Sequence, residues 1–199
     1  MKKGEKTREH IISKSAELFN VQGFAGSSLN DIIAATGIQK GGIYRHFGSK
    51  DEIALEAYNY AADSVGRKFA EALAAETSAA GRLLAFFHVY GDVVNNPPFI
   101  GGCPLQNTAV ESDDTHPILR QRAREGLHHT LERMKDIIRE GIQMGEFKEH
   151  LDVDALASFA FSLLEGGIML SKLEGSNRHM EMNTASFSSY LEQVCSKAP

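Results

Sequence analysis

Apolar side chains recur along most of the chain at spacings of three and four residues, which is the period of an α-helix rather than of a β-strand. Over residues 6–22 they form one apolar face, and Gly23 then ends the predicted helix. The sequence therefore predicts an all-α protein of about nine helices. The other long helices are predicted from Ser49 to about residue 75, within 80–95, from Pro117 to about Ile142, over 152–173 and over roughly 183–195.

Two much shorter helices are predicted between the first two long ones. Ser28 with Asp31 three residues later is the pattern of an N-cap and capping box, and the helix that they open ends at Gly37. A second short helix begins at Lys40. Two short helices joined by a tight, glycine-containing turn are typical of a helix-turn-helix.

The segment 152–173 is apolar nearly all round. A helix of this kind must be buried on every side, and we expect a second copy of the chain to provide part of that burial. Its most apolar stretch, from Ala155 to Leu164, stops at Glu165 and is too short to span a bilayer. We therefore expect no contact with a membrane.

The charges divide the chain into a basic start and an acidic remainder. The net charge of the chain is −5, yet residues 1–50 carry eight Lys or Arg against four Asp or Glu, a net +4. Residues 51–199 carry the other 13 basic and 22 acidic side chains. A basic head on an acidic body suggests that the head meets an anion, although chance clustering of solvated lysines gives the same count.

Cysteine content and the first residues bear on the cellular compartment. Two cysteines among 199 residues cannot form a disulfide framework, and their scarcity suits a reducing compartment. The chain opens Met-Lys-Lys-Gly-Glu-Lys, without the apolar run of a secretory signal. We expect a soluble, cytoplasmic protein.

A longer motif surrounds the second short helix. Residues 37–53, Gly-Ile-Gln-Lys-Gly-Gly-Ile-Tyr-Arg-His-Phe-Gly-Ser-Lys-Asp-Glu-Ile, resemble the DNA-binding signature of TetR-family one-component regulators. Gly23-Phe24 and residues 28–32 also resemble that family, so that the likeness covers about residues 6–55. More weakly, the Gly-Gly-Cys-Pro-Leu segment at 101–105 resembles the body of one branch of the family.

The resemblance implies the organisation and the activity of the chain. It implies a helix-turn-helix DNA-binding domain over 1–50 and a larger helical domain for ligand binding and dimerisation over 51–199. The partners implied are a double-stranded DNA operator, a small-molecule effector and a second copy bound through the last two helices, about 152–173 and 183–195. The function implied is that of a repressor. A small-molecule effector or a reactive electrophile would release it from DNA.

The candidates for DNA contact cluster around the second short helix. Lys40, Tyr44, Arg45 and Lys50 offer the donors that grip phosphates. Gln39 can pair with adenine and Lys40 with guanine, while two adjacent glycines replace the commoner Gly-Thr or Gly-Ser of the family and leave the base code open. For His46 both a DNA contact and a structural role remain open. The complete set is Ser28, Gln39, Lys40, Gly41, Gly42, Tyr44, Arg45, His46 and Lys50.

The candidates for effector binding combine aromatic and polar side chains, the general composition of a small-molecule pocket. Most of the aromatic ones are equally explained as core. Cys103 lies in the irregular loop and could react with electrophiles, but no Lys or Arg within four residues lowers the pKa of its thiol. The complete set is Phe86, Phe87, Tyr90, Phe99, Cys103, Asn107, His128, Phe159 and Phe161.

Catalysis is the remaining class of function. Glu111, Asp113, Asp114 and His116 could hold a divalent metal ion, but helix capping ahead of Pro117 is the preferred explanation of this cluster. The sequence lacks a glycine-rich phosphate loop, a zinc-protease motif and a nucleophile elbow. We therefore expect no catalytic residue, metal or cofactor. The alternatives to an effector-controlled repressor are a regulator that works through a protein partner and a metal-dependent enzyme.

Overall fold

The computed structural model describes residues 3–195 without the side chains of Lys3 and Val194; Lys2, counted above in the basic head, lies outside the described residues, as do Met1 and 196–199. This part of the chain contains nine α-helices and no β-strand, which confirms the predicted class. A π-helical turn over Leu191–Cys195 follows the last helix. The helices are α1 (Lys3–Gln22), α2 (Leu29–Thr36), α3 (Lys40–Ile43), α4 (Lys50–Ala74), α5 (Ala79–Val89), α6 (Pro104–Ser112), α7 (Pro117–Gln143), α8 (Val153–Glu174) and α9 (Arg178–Tyr190).

Both ends of α2 form as the sequence predicts. The Asp31 backbone N–H donates to the Ser28 hydroxyl at 3.3 Å, and the Ser28 N–H donates to the Asp31 carboxylate at 2.7 Å. These bonds complete a capping box, and hydrogen bonds from Ser28 hold the pKa of Asp31 below its ordinary value. At the other end Gly37 adopts a left-handed conformation with a φ of 70°.

Two predicted helix boundaries differ from the structure. α5 ends at Val89 rather than near residue 95, because the Asp92 carboxylate accepts from the Asn95 backbone N–H and closes a turn. α9 begins at Arg178 rather than near residue 183. Its first turn is largely polar and lacks an apolar period, but Met180 is completely buried there.

The apolar helix near the end of the chain forms close to the predicted bounds of 152–173. α8 extends over 22 residues and continues past Glu165, where its most apolar stretch stops. By length and composition alone the whole of α8 could cross a membrane, so the expectation drawn from the stretch Ala155 to Leu164 does not hold for the complete helix. Core helices of soluble proteins pass the same test, and α8 packs against α5 and α9.

The chain divides into two compact units, which α4 and α7 both enter. The first contains residues up to Val65 together with Phe99–Gly126, so that it extends beyond residue 50. The second contains Gly66–Pro98 and the residues from Leu127 onward. The first unit is built on a cluster of buried apolar side chains from α1, α2, α3, α4 and the turn after α3, namely Ile11, Ile32, Ile43, Phe47 and Ile53.

We expect Ile43→Ala to destabilise the first unit. Ile43 is completely buried, and replacing such a side chain with alanine costs about 2–5 kcal/mol because a cavity remains. Urea unfolding followed by circular dichroism measures the change. Val21→Ala, at a side chain that is 58% exposed, is the control and should change stability by less than about 0.5 kcal/mol. Equal stabilities of the two variants would contradict this account of the core.

Candidate nucleic-acid interface

Burial beneath α3 decides which of its side chains face solvent. Ile43 and Phe47, one helical turn apart, are buried in the cluster of the first unit. The residues between and before them therefore point outward, and Gln39, Lys40, Gly41, Tyr44 and Arg45 are all exposed. The structure thus brings most of the predicted DNA-contact residues onto one exposed surface, which we call the α3 face.

The α3 face carries two cations without a carboxylate partner. Within residues 3–195 neither Lys40 nor Arg45 forms an ion pair, and the Lys40 ammonium lies 5.9 Å from the centre of the Tyr44 ring. By contrast, Arg8 pairs with Glu56, and Lys14 pairs with Glu17 at 2.9 Å. The Arg8 charge is therefore neutralised by a carboxylate outside residues 1–50, and the Lys14 charge by one of the four acidic residues already counted within them.

The two glycines of the α3 face have different surroundings. A Cβ placed on Gly41 would meet nothing within 4 Å, so that its backbone is open to an approaching ligand. A Cβ on Gly42 would lie 2.7 Å from the Ile38 Cγ2 atom. Gly42, at the position where the family more often has Thr or Ser, is thus packed against the turn, whereas Gly41 is open.

Of three other predicted DNA contacts, two are engaged within the protein itself and one is half-buried. The exposed Ser28 hydroxyl takes part in the capping box of α2. The Lys50 ammonium donates to the Phe24 carbonyl and lies 4.0 Å from the centre of the Phe24 ring. His46 is half-buried, and its Cε1 atom would lie 3.9 Å from a Cβ on Gly4. DNA contacts by these three side chains remain predictions.

The acidic cluster before α7 does not form a metal site. Glu111 accepts from the backbone N–H groups of Phe24, at 2.8 Å, and of Ala25, at 2.7 Å. The helix cap comes from His116, whose Nδ1 accepts from the Leu119 N–H at 3.2 Å. Within residues 3–195 no three His, Cys, Asp or Glu side chains are placed to hold a metal ion. Sequence reasoning missed the Glu111 contact because its partners lie more than eighty residues earlier.

Six effector candidates lie in the second unit, where burial separates them. Phe86, Phe87 and Tyr90 are buried, and the Phe87 ring stacks on Phe187 at 4.9 Å. Their packing fits the core interpretation of these aromatics. The remaining three are less buried, with Phe161 half-buried and His128 and Phe159 exposed.

The other three candidates lie in the first unit around the loop before α6. Cys103 is buried, and Phe99 packs edge-on against the Tyr60 ring at 6.4 Å. The Asn107 amide donates to the Asn20 carbonyl at 3.0 Å and to the Gly101 carbonyl at 3.1 Å. Asn107 thus fastens the loop to α1 and is not an uncommitted polar group.

Family comparisons agree with this arrangement. Residues 11–57 match the model described as bacterial regulatory proteins of the tetR family. Residues 79–187 match the model of a tetracyclin repressor-like C-terminal domain. The first match contains the whole α3 face, and the second covers more than half of the chain.

Individual relatives give the same result. The transcriptional regulator LmrA of Bacillus subtilis is 30% identical over 83% of this chain and 86% of its own. The crystal structure of a TetR regulator from Chloroflexus aurantiacus superposes with a TM-score of 0.95 and 40% identity over the full length of both chains. The fold also matches a cysteine-substituted variant of the regulator CifR bound to 26-base-pair operator DNA, at a TM-score of 0.82 and 19% identity over 91% of this chain and 94% of that one. The chain belongs to the TetR family of transcriptional regulators and carries a helix-turn-helix DNA-binding domain.

Proposed function

We propose that the protein is a cytoplasmic repressor that binds a palindromic operator as a homodimer and that a small-molecule or electrophile effector releases it. The observation that carries the proposal is the α3 face, where Lys40 and Arg45 are exposed and form no ion pair with any carboxylate of residues 3–195. The operator-bound structure of a protein with the same fold supports the choice of duplex DNA. A dimer would place one α3 face in each half-site, in successive major grooves.

The residues of the α3 face would divide the work of recognition. Tyr44 and Arg45 would bind phosphates, which position a protein on the duplex but carry no sequence information. Gln39 and Lys40, at the start of α3, would reach base edges. The open backbone at Gly41 would allow close approach to the groove.

Exposed apolar side chains on α8 and α9 support a dimer through these helices. Met169 and Leu173, one turn apart on α8, are 52% and 81% exposed, and Phe159 and Met182 are also exposed. Such a surface is costly in water unless a partner covers it. A second copy of the chain would cover it by pairing the same helices about a two-fold axis.

Effector control requires a ligand that favours one of two states of the dimer. A shift from 1:99 to 99:1 takes about 5.5 kcal/mol of differential binding. α4 contributes residues to both units and would link the effector site to the head. The half-buried Phe161 and Phe99 are better placed than the buried core aromatics to meet a ligand without repacking.

Cys103 remains the candidate for an electrophile effector. Its thiol is buried. The pKa of the Tyr58 hydroxyl is raised, first by burial and then by its electrostatic interaction with Cys103. Reaction would therefore require the loop to open. Burial also raises the pKa of the Cys195 thiol, which makes Cys195 the less reactive cysteine.

Selection of duplexes from random DNA, followed by a salt titration of the best one, tests the proposed function. We expect binding by a dimer that falls steeply with salt and survives competitor DNA. A regulator that acts through a protein partner would bind the duplex but respond to no small molecule. Failure to enrich any sequence would overturn the proposal.

We expect Arg45→Ala and Tyr44→Phe to weaken binding to all sequences alike, because phosphate contacts are independent of sequence. Arg45→Ala should also reduce the salt slope, which is the slope of the logarithm of affinity against the logarithm of salt concentration, by about one. Fluorescence anisotropy on the selected duplex and on scrambled DNA measures both effects. Lys68→Ala removes an equally exposed charge from α4 and should change neither. A loss confined to one operator variant would contradict the phosphate role.

We expect Gln39→Ala to relax base preference at one position of each half-site, at a cost of about 1–3 kcal/mol. Gln39 is exposed at the N-cap of α3, and its side chain makes no capping hydrogen bond to that helix. Repeating the duplex selection with the variant measures the preference at every position. An unchanged sequence logo would rule out the base contact.

We expect Leu173→Glu to shift the protein from dimer to monomer, because a carboxylate would be buried without a partner in the paired α8 helices. Sedimentation velocity measures the mass. The control, Ile118→Glu, places the same charge at an exposed apolar side chain of the first unit and should leave the dimer intact. A dimeric Leu173→Glu would place the interface elsewhere.

A further inference from the structure

One contact in the first unit joins α6 to the DNA-binding helices. The Glu111 carboxylate, near the end of α6, accepts from two successive backbone N–H groups of the loop between α1 and α2. One oxygen serves Phe24 and the other serves Ala25, at 2.8 and 2.7 Å. Both oxygens are therefore committed to the loop.

The loop is shaped around this carboxylate. Gly23 has a φ of 80°, which a residue with a side chain rarely adopts. A Cβ at this position would also lie 2.7 Å from a Glu111 oxygen. The positive φ after α1 thus favours glycine, and a side chain at this position would displace the Glu111 carboxylate.

Side chains from two further helices hold the same loop. Lys50, at the start of α4, donates to the Phe24 carbonyl. The His116 ring, just before α7, packs edge-on against the Phe24 ring at 4.9 Å, and its Nε2 lies 3.5 Å from an Asp51 oxygen. Segments from three parts of the sequence thus meet at one loop.

The loop leads directly into the helix-turn-helix. Ser27, whose hydroxyl donates to the Gly23 carbonyl at 2.7 Å, is followed by the N-cap of α2. Ile32 of α2 and Ile43 of α3 share one buried cluster, so that the two helices move together. A displacement of the loop would therefore reach the α3 face.

The contact also has room to change. A cavity of about 110 Å³ lies beside it, lined in part by Phe24, Glu111 and His116. A space of this size beside the carboxylate can hold water.

We propose that Glu111 is a positioning residue for DNA binding, which fixes the orientation of the α3 face by holding the loop between α1 and α2. Glu111 lies in the region matched by the C-terminal family model, whereas its partners lie in the region matched by the N-terminal one. The contact therefore lets a change at the end of α6 alter operator affinity. The inference rests on the proposed function, because it assigns Glu111 a part in the same DNA binding.

Glu111→Gln tests the proposal, because the amide keeps the size of the side chain but turns a donor toward one of the two N–H groups. We expect operator affinity to fall roughly 3- to 30-fold with an unchanged salt slope, since no phosphate contact is lost. Asp114→Asn removes the same charge from an exposed neighbour and should stay within about twofold of the parent. All affinities are measured at a temperature where every variant is folded, so that global unfolding is excluded as the cause of weaker binding.

Hydrogen exchange provides a readout that needs no DNA. Glu111→Gln should accelerate exchange at the Phe24 and Ala25 amides and in the first turn of α2, and Asp114→Asn should not. If the parent protein selects no operator, the proposed function fails, while the exchange rates still decide the role of Glu111. Affinity and exchange equal to those of Asp114→Asn would overturn the inference, and so would a reduced salt slope.

A double-mutant cycle uses the glycine on the other side of the contact. Gly23→Ala should weaken operator binding, and by less when Glu111 is already alanine, because the carboxylate that the new Cβ meets is then absent. Gly145→Ala introduces similar strain at a φ of 79° with nothing within 4 Å and should leave operator affinity unchanged. Strictly additive losses for Gly23→Ala and Glu111→Ala would show that the two residues act separately.

Discussion

Burial of a few apolar side chains beneath α3 is the constraint on which the DNA-binding surface depends. A helix of four residues fixes several backbone angles for very few hydrogen bonds and is not stable by itself. α3 exists because Ile43, and Phe47 just after it, pack with Ile32 of α2 and with buried residues of α1 and α4. The same packing turns the intervening polar residues outward. This cluster therefore decides which side chains of α3 are available for the proposed base and phosphate contacts.

The number of cations available to DNA depends on ion pairing as well as on composition. The first fifty residues contain eight basic side chains, but the structure pairs some of them with carboxylates and bonds others to the backbone. Arg8 of α1 pairs with Glu56 of α4, and Lys50 donates to a backbone carbonyl. Lys40 and Arg45 remain exposed on the α3 face without ion pairs among the described residues. Their separation from carboxylates matters more for binding an anion than the net charge of the region.

The rest of the chain shows how apolar residues serve two purposes. In the second unit Phe86, Phe87 and Tyr90 fill the interior, so an aromatic pattern by itself does not identify a ligand pocket. On α8, by contrast, Met169 and Leu173 remain exposed although the helix is apolar nearly all round. This exposure agrees with the expectation that one chain alone cannot bury the helix. We propose that a second copy of the chain covers these side chains. The helix also continues past Glu165, because one charged residue does not interrupt it.

Features that depend on near neighbours in the chain could be predicted from the sequence alone. The period of apolar residues, the capping box at Ser28 and the helix stop at Gly37 act over a few residues, and each formed as predicted. Only the tertiary structure decided which polar side chains are committed internally. Asn107 and Glu111 bond to residues more than eighty positions earlier in the chain. Such partners are set by packing between distant segments, which leaves no local period or spacing in the sequence.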